Sequence, residues 1–310
     1  MNVDKNIINW LLQGDISIQF QTYRDLIGKF CNDLQMRIES EGWGKQFLQK
    51  RNKNGHWGLR FYQPKWISTH YTLLDLKNLA INPGCSAITE TINMVLKETK
   101  AADGGILPVG EMKKSDVCIN GMVLNYSSYF GADEEDLKSI VDNILSQQLP
   151  DGGFNCMLNR SGAVHSSLHT TISVLEGIWE YKNNNYTYRL DELLKAKSES
   201  EEFILQHHLY KSDKTGQIID KRFLNLTYPC RWRYDILRAL DYFQYAKVPY
   251  DSRMQDAIDV ILNKRKKDGT WNVQAHHSEA VHFHMETAGK PSRWNTLRVL
   301  RVLKHFCVKI

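Results

Sequence analysis

The feature that most restricts what this chain can fold into is a glycine turn that returns about every fifty residues. The copies are Asn54-Gly55-His56-Trp57, Asp103-Gly104-Gly105, Asp151-Gly152-Gly153-Phe154, Lys214-Thr215-Gly216 and Asp268-Gly269-Thr270-Trp271. Glycine accepts a positive φ and so ends the helix before it, and Asp or Asn tolerates the neighbouring turn conformation. Before each turn the sequence reads as an amphipathic helix with a charged face, as in 136–148 and 256–266. After each turn comes a more apolar helix, with starts expected near Ser17, Trp66, Asp116, Ser166, Pro229 and Pro291. Stretches such as 172–179 and 294–306 are apolar on most sides, as helices buried against neighbours are. No run shows the period-two alternation of strands.

A repeat of this length is a helical hairpin, and such units bury their faces only by stacking. Six apolar helices alternating with six amphipathic ones predict an all-α fold, an (α/α)6 toroid with an inner ring wrapped by an outer one, over residues 1–310 as a single domain. An open superhelix of hairpins is the competing geometry. The bulk numbers agree with a globular protein: 42% hydrophobic and 24% charged residues. The net charge of +5 is small and scattered along the chain, which argues against nucleic acid as partner. No apolar run reaches the ~18–20 residues that cross a bilayer. The N-terminus places Asp4, Lys5 and Asp15 around a short apolar run and does not read as a signal peptide. Six cysteines in a chain of this length predict free thiols rather than a disulfide framework, hence a reduced, cytoplasmic protein.

The segment Gln147-Gln148-Leu149-Pro150-Asp151-Gly152-Gly153-Phe154 resembles the Gln/Trp repeat of squalene-hopene cyclases and protein prenyltransferase β subunits, and Lys267-Asp268-Gly269-Thr270-Trp271 resembles a weaker copy. Two further segments resemble the prenyltransferase zinc motif. Asp116-Val117-Cys118 opens the third apolar helix, and His169-Thr170 opens the fourth, with Leu175-Glu176-Gly177-Ile178 beyond. The resemblance implies Asp116, Cys118 and His169 as zinc ligands. The Asp-x-Asp-Asp acid of class II terpene cyclases and the Asp-Asp-x-x-Asp magnesium motif of class I synthases are absent from the sequence. The chain is also shorter than the family's β subunits, which counts against a peptide substrate.

Zinc takes thiolate, imidazole and carboxylate, and three protein ligands with an open fourth position mark a catalytic site. Cys156 is the fourth candidate: if it binds, the site is closed and structural, and if not, water or a substrate thiol takes the position. Taken singly, the two cysteines read as small buried hydrophobes and His169 as a capping or core residue. His165 stands four residues before His169 and is a candidate catalytic group or outer partner. Zinc is the expected cofactor, with magnesium a candidate second ion for a diphosphate.

A second constellation gathers aromatic and basic residues at the helix starts: Trp57, Arg60, Phe61, Tyr62, Lys65, Trp66, His70 and Tyr71, then Arg231, Trp232, Arg233, Tyr234 and Asp235, then Arg293, Trp294 and Asn295. Such a wall suits an apolar ligand with an anionic head. Trp57, Tyr62, Trp66, His70, Tyr71, Arg231, Trp232, Arg293, Trp294 and Asn295 are therefore expected to bind substrate, with Asp235, Tyr234 and His165 as catalytic candidates. Packing and capping are the competing roles for the same residues. The histidine-rich stretch from His276 to Glu286 reads as a loop before the last apolar helix.

Three functions follow as expectations. The first is a zinc-dependent, prenyltransferase-like or terpenoid-cyclase-like enzyme acting on an apolar, isoprenoid-like or thiol-bearing small molecule. The second is a non-enzymatic helical ring tied by structural zinc. The third is a carbohydrate-processing enzyme, which needs paired acids, and Asp235 and Glu286 are the candidates.

Overall fold

A computed structural model describes residues 3–108, 114–274 and 280–308. It is mostly helical. In chain order the helices are α1 (Lys5–Leu12), α2 (Ile16–Gln21), α3 (Asn32–Arg37), α4 (Gly42–Leu48), α5 (Thr69–Asn78), α6 (Ser86–Glu98), α7 (Val117–Tyr129), α8 (Glu134–Ser146), α9 (Leu158–Ser161), α10 (Leu168–Asn183), α11 (Leu190–Gln206), α12 (Ile236–Tyr245), α13 (Gln255–Asn263) and α14 (Arg293–His305). A small antiparallel ribbon pairs β1 (Trp271–Asn272) with β2 (Pro291–Ser292). Among the described residues no helix is long and apolar enough to cross a membrane.

The six apolar helices expected from the repeat are α2, α5, α7, α10, α12 and α14. Five begin within about three residues of the positions read from the sequence. The sixth, α12, begins at Ile236 rather than near Pro229. Residues 228–235 instead form a turn in which Arg231 has φ 56°, and the Asp235 carboxylate caps the helix by accepting the Arg238 N–H at 2.8 Å.

The chain divides into two compact units. One comprises Leu48–Asn78 and Pro83–Ile204 and holds three successive hairpins, α5–α6, α7–α8 and α10–α11. In α8 the buried residues Leu137, Ile140, Val141 and Ile144 follow the i, i+3, i+4, i+7 rhythm of a one-sided helix, while three acids occupy its first turn. α7 differs: nearly every residue from Val117 to Ser128 is buried. It packs along α10 at unusually short range, because Gly121 faces Val174 and Gly177 faces the Gly121 carbonyl. The other unit comprises Met1–Phe47, Leu79–Asn82 and Leu205–Ile310. Within it α14 packs against α2 and α12, so helices from the two ends of the chain share one core.

Four of the five glycine turns are the same structure. In each, the glycine has φ between 82° and 88° (Gly55, Gly104, Gly152, Gly269). The residue three before it accepts its N–H, and that same residue donates to the carbonyl of the position after the glycine, as in Gly152 N to Leu149 O and Leu149 N to Gly153 O. The next backbone N–H then docks on a polar side chain of the following apolar helix. Trp57 N donates to Thr69 Oγ1 at 3.0 Å, Ile106 N to Asn120 Oδ1 at 2.8 Å, Phe154 N to Thr171 Oγ1 at 3.0 Å and Trp271 N to Thr296 Oγ1 at 3.1 Å. These four side chains are 0% exposed. The Gly216 turn departs from the pattern, with Gly216 N donating to Ser212 O. In the third copy the hydroxyl both accepts from Phe154 N and donates to Phe154 O. Replacing Thr171 by Val keeps the shape and strips both bonds, so chemical denaturation is expected to show a loss of about 1–3 kcal/mol. An unchanged midpoint would show that the turn holds without its anchor.

Candidate functional site

The residues at the start of α7 come together with the segment that precedes α10. Asp116 is the last residue before the helix and is 3% exposed. Its side chain caps no backbone N–H. Instead the carboxylate is gripped on both oxygens by Arg160 of α9, with Arg160 Nε on Oδ1 at 3.0 Å and Nη2 on Oδ2. Short α9 is itself pinned to this place, since Asn159 Nδ2 donates to the Ser115 carbonyl at 2.7 Å and to Gln147 Oε1 at 3.0 Å.

Cys118, in the first turn of α7, donates its thiol proton to the sulfur of Cys156. That hydrogen bond is the largest cause of the Cys156 thiol being pulled down to about 6, against the opposing effect of partial burial, and Thr170 adds a further hydrogen bond. The Cys118 thiol is pushed well up by the same bond and by its own burial. The Cys156 backbone also donates to Thr170 Oγ1 at 3.3 Å, so the first turn of α10 orients the segment. Cys156 is half-buried.

Next to the thiols stands an aromatic wall from the segment before α5. Tyr62 is half-buried and feels the charges of Cys118, Asp116 and Arg160. Its hydroxyl lies 3.0 Å from that of Tyr71, and desolvation raises its pKa, so it stays a phenol. His70 is fully buried, its Nδ1 lies 3.3 Å from Tyr126 Oη, and burial lowers its pKa to about 3. It is therefore a neutral imidazole enclosed by Phe61, Tyr62, Tyr71 and Tyr126.

These positions bear on the zinc expectation. Asp116, Cys118 and Cys156 are neighbours, but the carboxylate is already held by a guanidinium and the two sulfurs share a proton. Neither His169 nor His165 completes a set: among the described residues no three His, Cys, Asp or Glu side chains converge as a metal needs. His169 lies partly exposed in the first turn of α10, and His165 is exposed. As arranged, the described residues show no zinc site.

The other residues singled out in the sequence are held elsewhere. Trp57 is 0% and Trp66 2% exposed, so both pack in the core, with the Lys65 ammonium 4.6 Å above the Trp66 ring. In the unit containing both chain ends, Tyr234 is buried and its hydroxyl donates to the Leu209 carbonyl at 2.5 Å. Asp235 caps α12 and also accepts from Thr227 Oγ1 at 3.2 Å and Cys230 Sγ at 3.4 Å. Arg231 is 5% exposed, and Trp232 beside it is partly exposed. Arg293 donates to the Trp10 carbonyl at 3.0 Å, with its guanidinium 4.6 Å above the Trp10 ring. Trp294 stacks on Tyr228 at 4.7 Å and Trp43 at 6.1 Å, and Asn295 Nδ2 ties the carbonyls of Leu226 and Asn272. Glu286 accepts from Arg293 N, Trp294 N and Ser292 Oγ at the start of α14. Asp235 and Glu286 thus both accept hydrogen bonds at helix starts. His276 and His277 lie outside the described residues, and the His282 ring packs edge-on to Phe47 at 5.6 Å.

Sequence reasoning passed over Arg160 and the hydroxyl of Thr170. Arg160 carried a usable signal: a buried acid at a helix start needs a cation, and Arg160 is the first basic residue after the Gly152-Gly153 turn.

No family model matches this chain, and no curated protein matches it in sequence. Among solved structures it is similar to the polysaccharide lyase BACCELL_00875, at 10% identity and a TM-score of 0.49, over 94% of this chain and 87% of that one. It is also similar to the type II terpene cyclase MstE from Scytonema, at 13% identity and a TM-score of 0.37, over 84% of this chain and 94% of that one. Both similar proteins have α/α toroid-like folds.

Proposed function

We propose that this protein is an enzyme that works through the thiol of Cys156 on an apolar or thiol-bearing small molecule held against Tyr62 at the start of α7. The observation that supports it is the hydrogen bond from Cys118 to Cys156, which stabilises a thiolate at a half-buried position. A thiolate is the nucleophilic form of cysteine, and a pKa near or below the ambient pH makes it available. Cys156 attacks an electrophilic carbon of the substrate; a carbon–sulfur bond forms as the bond from that carbon to its leaving group breaks, and the leaving group departs with the electron pair. Cys118 keeps its proton and holds the attacking sulfur in place. Arg160, whose side chain is 48% exposed, stays fixed by Asp116 and supplies positive charge beside the anion. Tyr62 offers a half-buried aromatic face, its protonated hydroxyl 3.0 Å from that of the buried Tyr71.

The test is the pH dependence of iodoacetamide labelling at Cys156, followed by peptide mass spectrometry. The labelling midpoint is expected near pH 6 in the wild type. In Cys118→Ala it rises by about two units or more, toward the ordinary thiol value of ~8.5. A wild-type midpoint already at that ordinary value overturns the reading. So does one zinc per chain that shields both thiols, since the metal then takes the role assigned here to the proton.

A further inference from the structure

In the unit that carries both chain ends, a cleft of about 430 Å³ opens where α13 ends and β1 begins. One wall is Asn263, Lys264, Arg265 and Lys266; the other includes Asn272 and Gln274. Among the described residues no acidic side chain lines it. None of these three consecutive cations is in an ion pair among the described residues; Asp268 acts on Lys266 through its charge only, and the Arg265 guanidinium lies 5.9 Å over the Trp271 ring. The walls are fixed rather than loose. Lys266 N donates to Thr270 O within the glycine turn. Gln274 N donates to Leu226 O while Leu226 N donates back to Gln274 Oε1. Asn272 is held through its own Nδ2, which donates to the Gly289 carbonyl at 2.8 Å. Its Oδ1 is buried and has no hydrogen-bond partner.

From this cleft we infer a binding site for a small hydroxylated organic anion, a phosphorylated or carboxylated sugar-like molecule. The cations receive the anionic group, as Lys and Arg do wherever phosphate or carboxylate is recognised. The exposed Gln274 amide on the opposite wall is the partner for a ligand hydroxyl. The volume lies in the range of small-ligand clefts. Partial burial without a carboxylate already lowers the pKa of Lys264, so an anion in the cleft restores it. The site shares no residue with the thiol centre, and its failure or success leaves that reading untouched.

Calorimetric titration with glucose 6-phosphate, glucuronate, glucose and inorganic phosphate tests the proposal. The two anionic sugars are expected to bind at one saturable site, and whichever binds more tightly identifies phosphate or carboxylate as the preferred head. Glucose and inorganic phosphate, each lacking half of the chemistry, bind at least ten-fold more weakly. Lys264→Met and Lys266→Met each lower affinity ten-fold or more with an unchanged melting temperature, whereas Lys267→Met, just outside the cleft, leaves it intact. No saturable binding of either anionic sugar at millimolar concentration overturns the site. Equal binding of inorganic phosphate and both sugars, insensitive to the Lys264 and Lys266 variants, also overturns it, because a diffuse basic surface is then enough.

Discussion

Replacing Asp241 by Ala is expected to remove about 3–5 kcal/mol of stability, enough to unfold much of the protein at physiological temperature. Asp241 sits on α12 with both carboxylate oxygens engaged. Arg301 Nε and Nη2 reach it at 2.6 Å each, and Arg298 Nε at 3.1 Å. Arg301 in turn binds Asp25 at 2.9 Å and Gln21 at 3.2 Å, so the cluster ties α12 and α14 to the N-terminal segment. The side chains of Asp241, Arg298 and Arg301 are 12%, 6% and 17% exposed, which is buried enough that a guanidinium left alone is costly. A well-packed apolar replacement of the whole cluster would be far milder; it is the removal of one partner that hurts. The same cluster sets an acid limb. Burial pushes the Asp241 pKa up, but Arg301 and then Arg298 outweigh it and the net shift is downward. A depressed folded pKa means the contribution is complete above the unfolded value of ~4 and is lost as pH falls through the lower folded value. Urea denaturation of the wild type should therefore weaken below about pH 4, and Asp241→Ala should show a shallower acid dependence. Equal slopes would remove Asp241 from the acid limb.

The second large effect is expected at the crossing of α7 and α10. Helix propensity alone predicts that Gly177→Ala stabilises α10 by about 1 kcal/mol. Packing predicts the reverse, because a Cβ at Gly177 would meet the Gly121 carbonyl oxygen at 2.3 Å. The obstacle is backbone on the facing helix, not the end of a flexible side chain, so relief requires the helices to part. Overpacking of this kind costs about 1–3 kcal/mol and sometimes more, so Gly177→Ala should lose about 2 kcal/mol net and Gly177→Val should fail to fold. Gly121→Ala should behave like Gly177→Ala, since its Cβ would lie 2.7 Å from both Ser173 O and Val174 Cα. Thermal melts of the two alanine variants check this directly. A rise in melting temperature would mean that propensity governs and the close approach is slack.

The hairpin plan was legible because its signals are local. Asp or Asn followed by glycine after an amphipathic stretch forms the same hydrogen-bonded turn at Gly55, Gly104, Gly152 and Gly269, whereas Asn120-Gly121, within an apolar run, stays inside α7. The rhythm of Leu137, Ile140, Val141 and Ile144 likewise places one face of α8 against the core with no knowledge of its neighbours. Even the proximity of Cys118 to Cys156 was within reach, since both follow from where α7 starts and where the third turn ends.

Side-chain partnership was not legible, because it depends on which distant residue arrives. A carboxylate before a helix can bind metal, cap the helix or pair with a cation; at Asp116 the docking of α9 brings Arg160 and selects the third. The same competition assigns Asp235 to an N-cap and Glu286 to the first N–H groups of α14. Trp57, Trp66 and Trp294 are aromatic residues near helix starts in any reading, and only packing turns them inward. Local turn and helix chemistry was thus written in the sequence itself, since neighbours along the chain are fixed covalently. The partners of Asp116 and Cys156, and the cations gathered beside Asn272, were decided by tertiary structure alone, because burial and the approach of remote segments determine which charge each group meets.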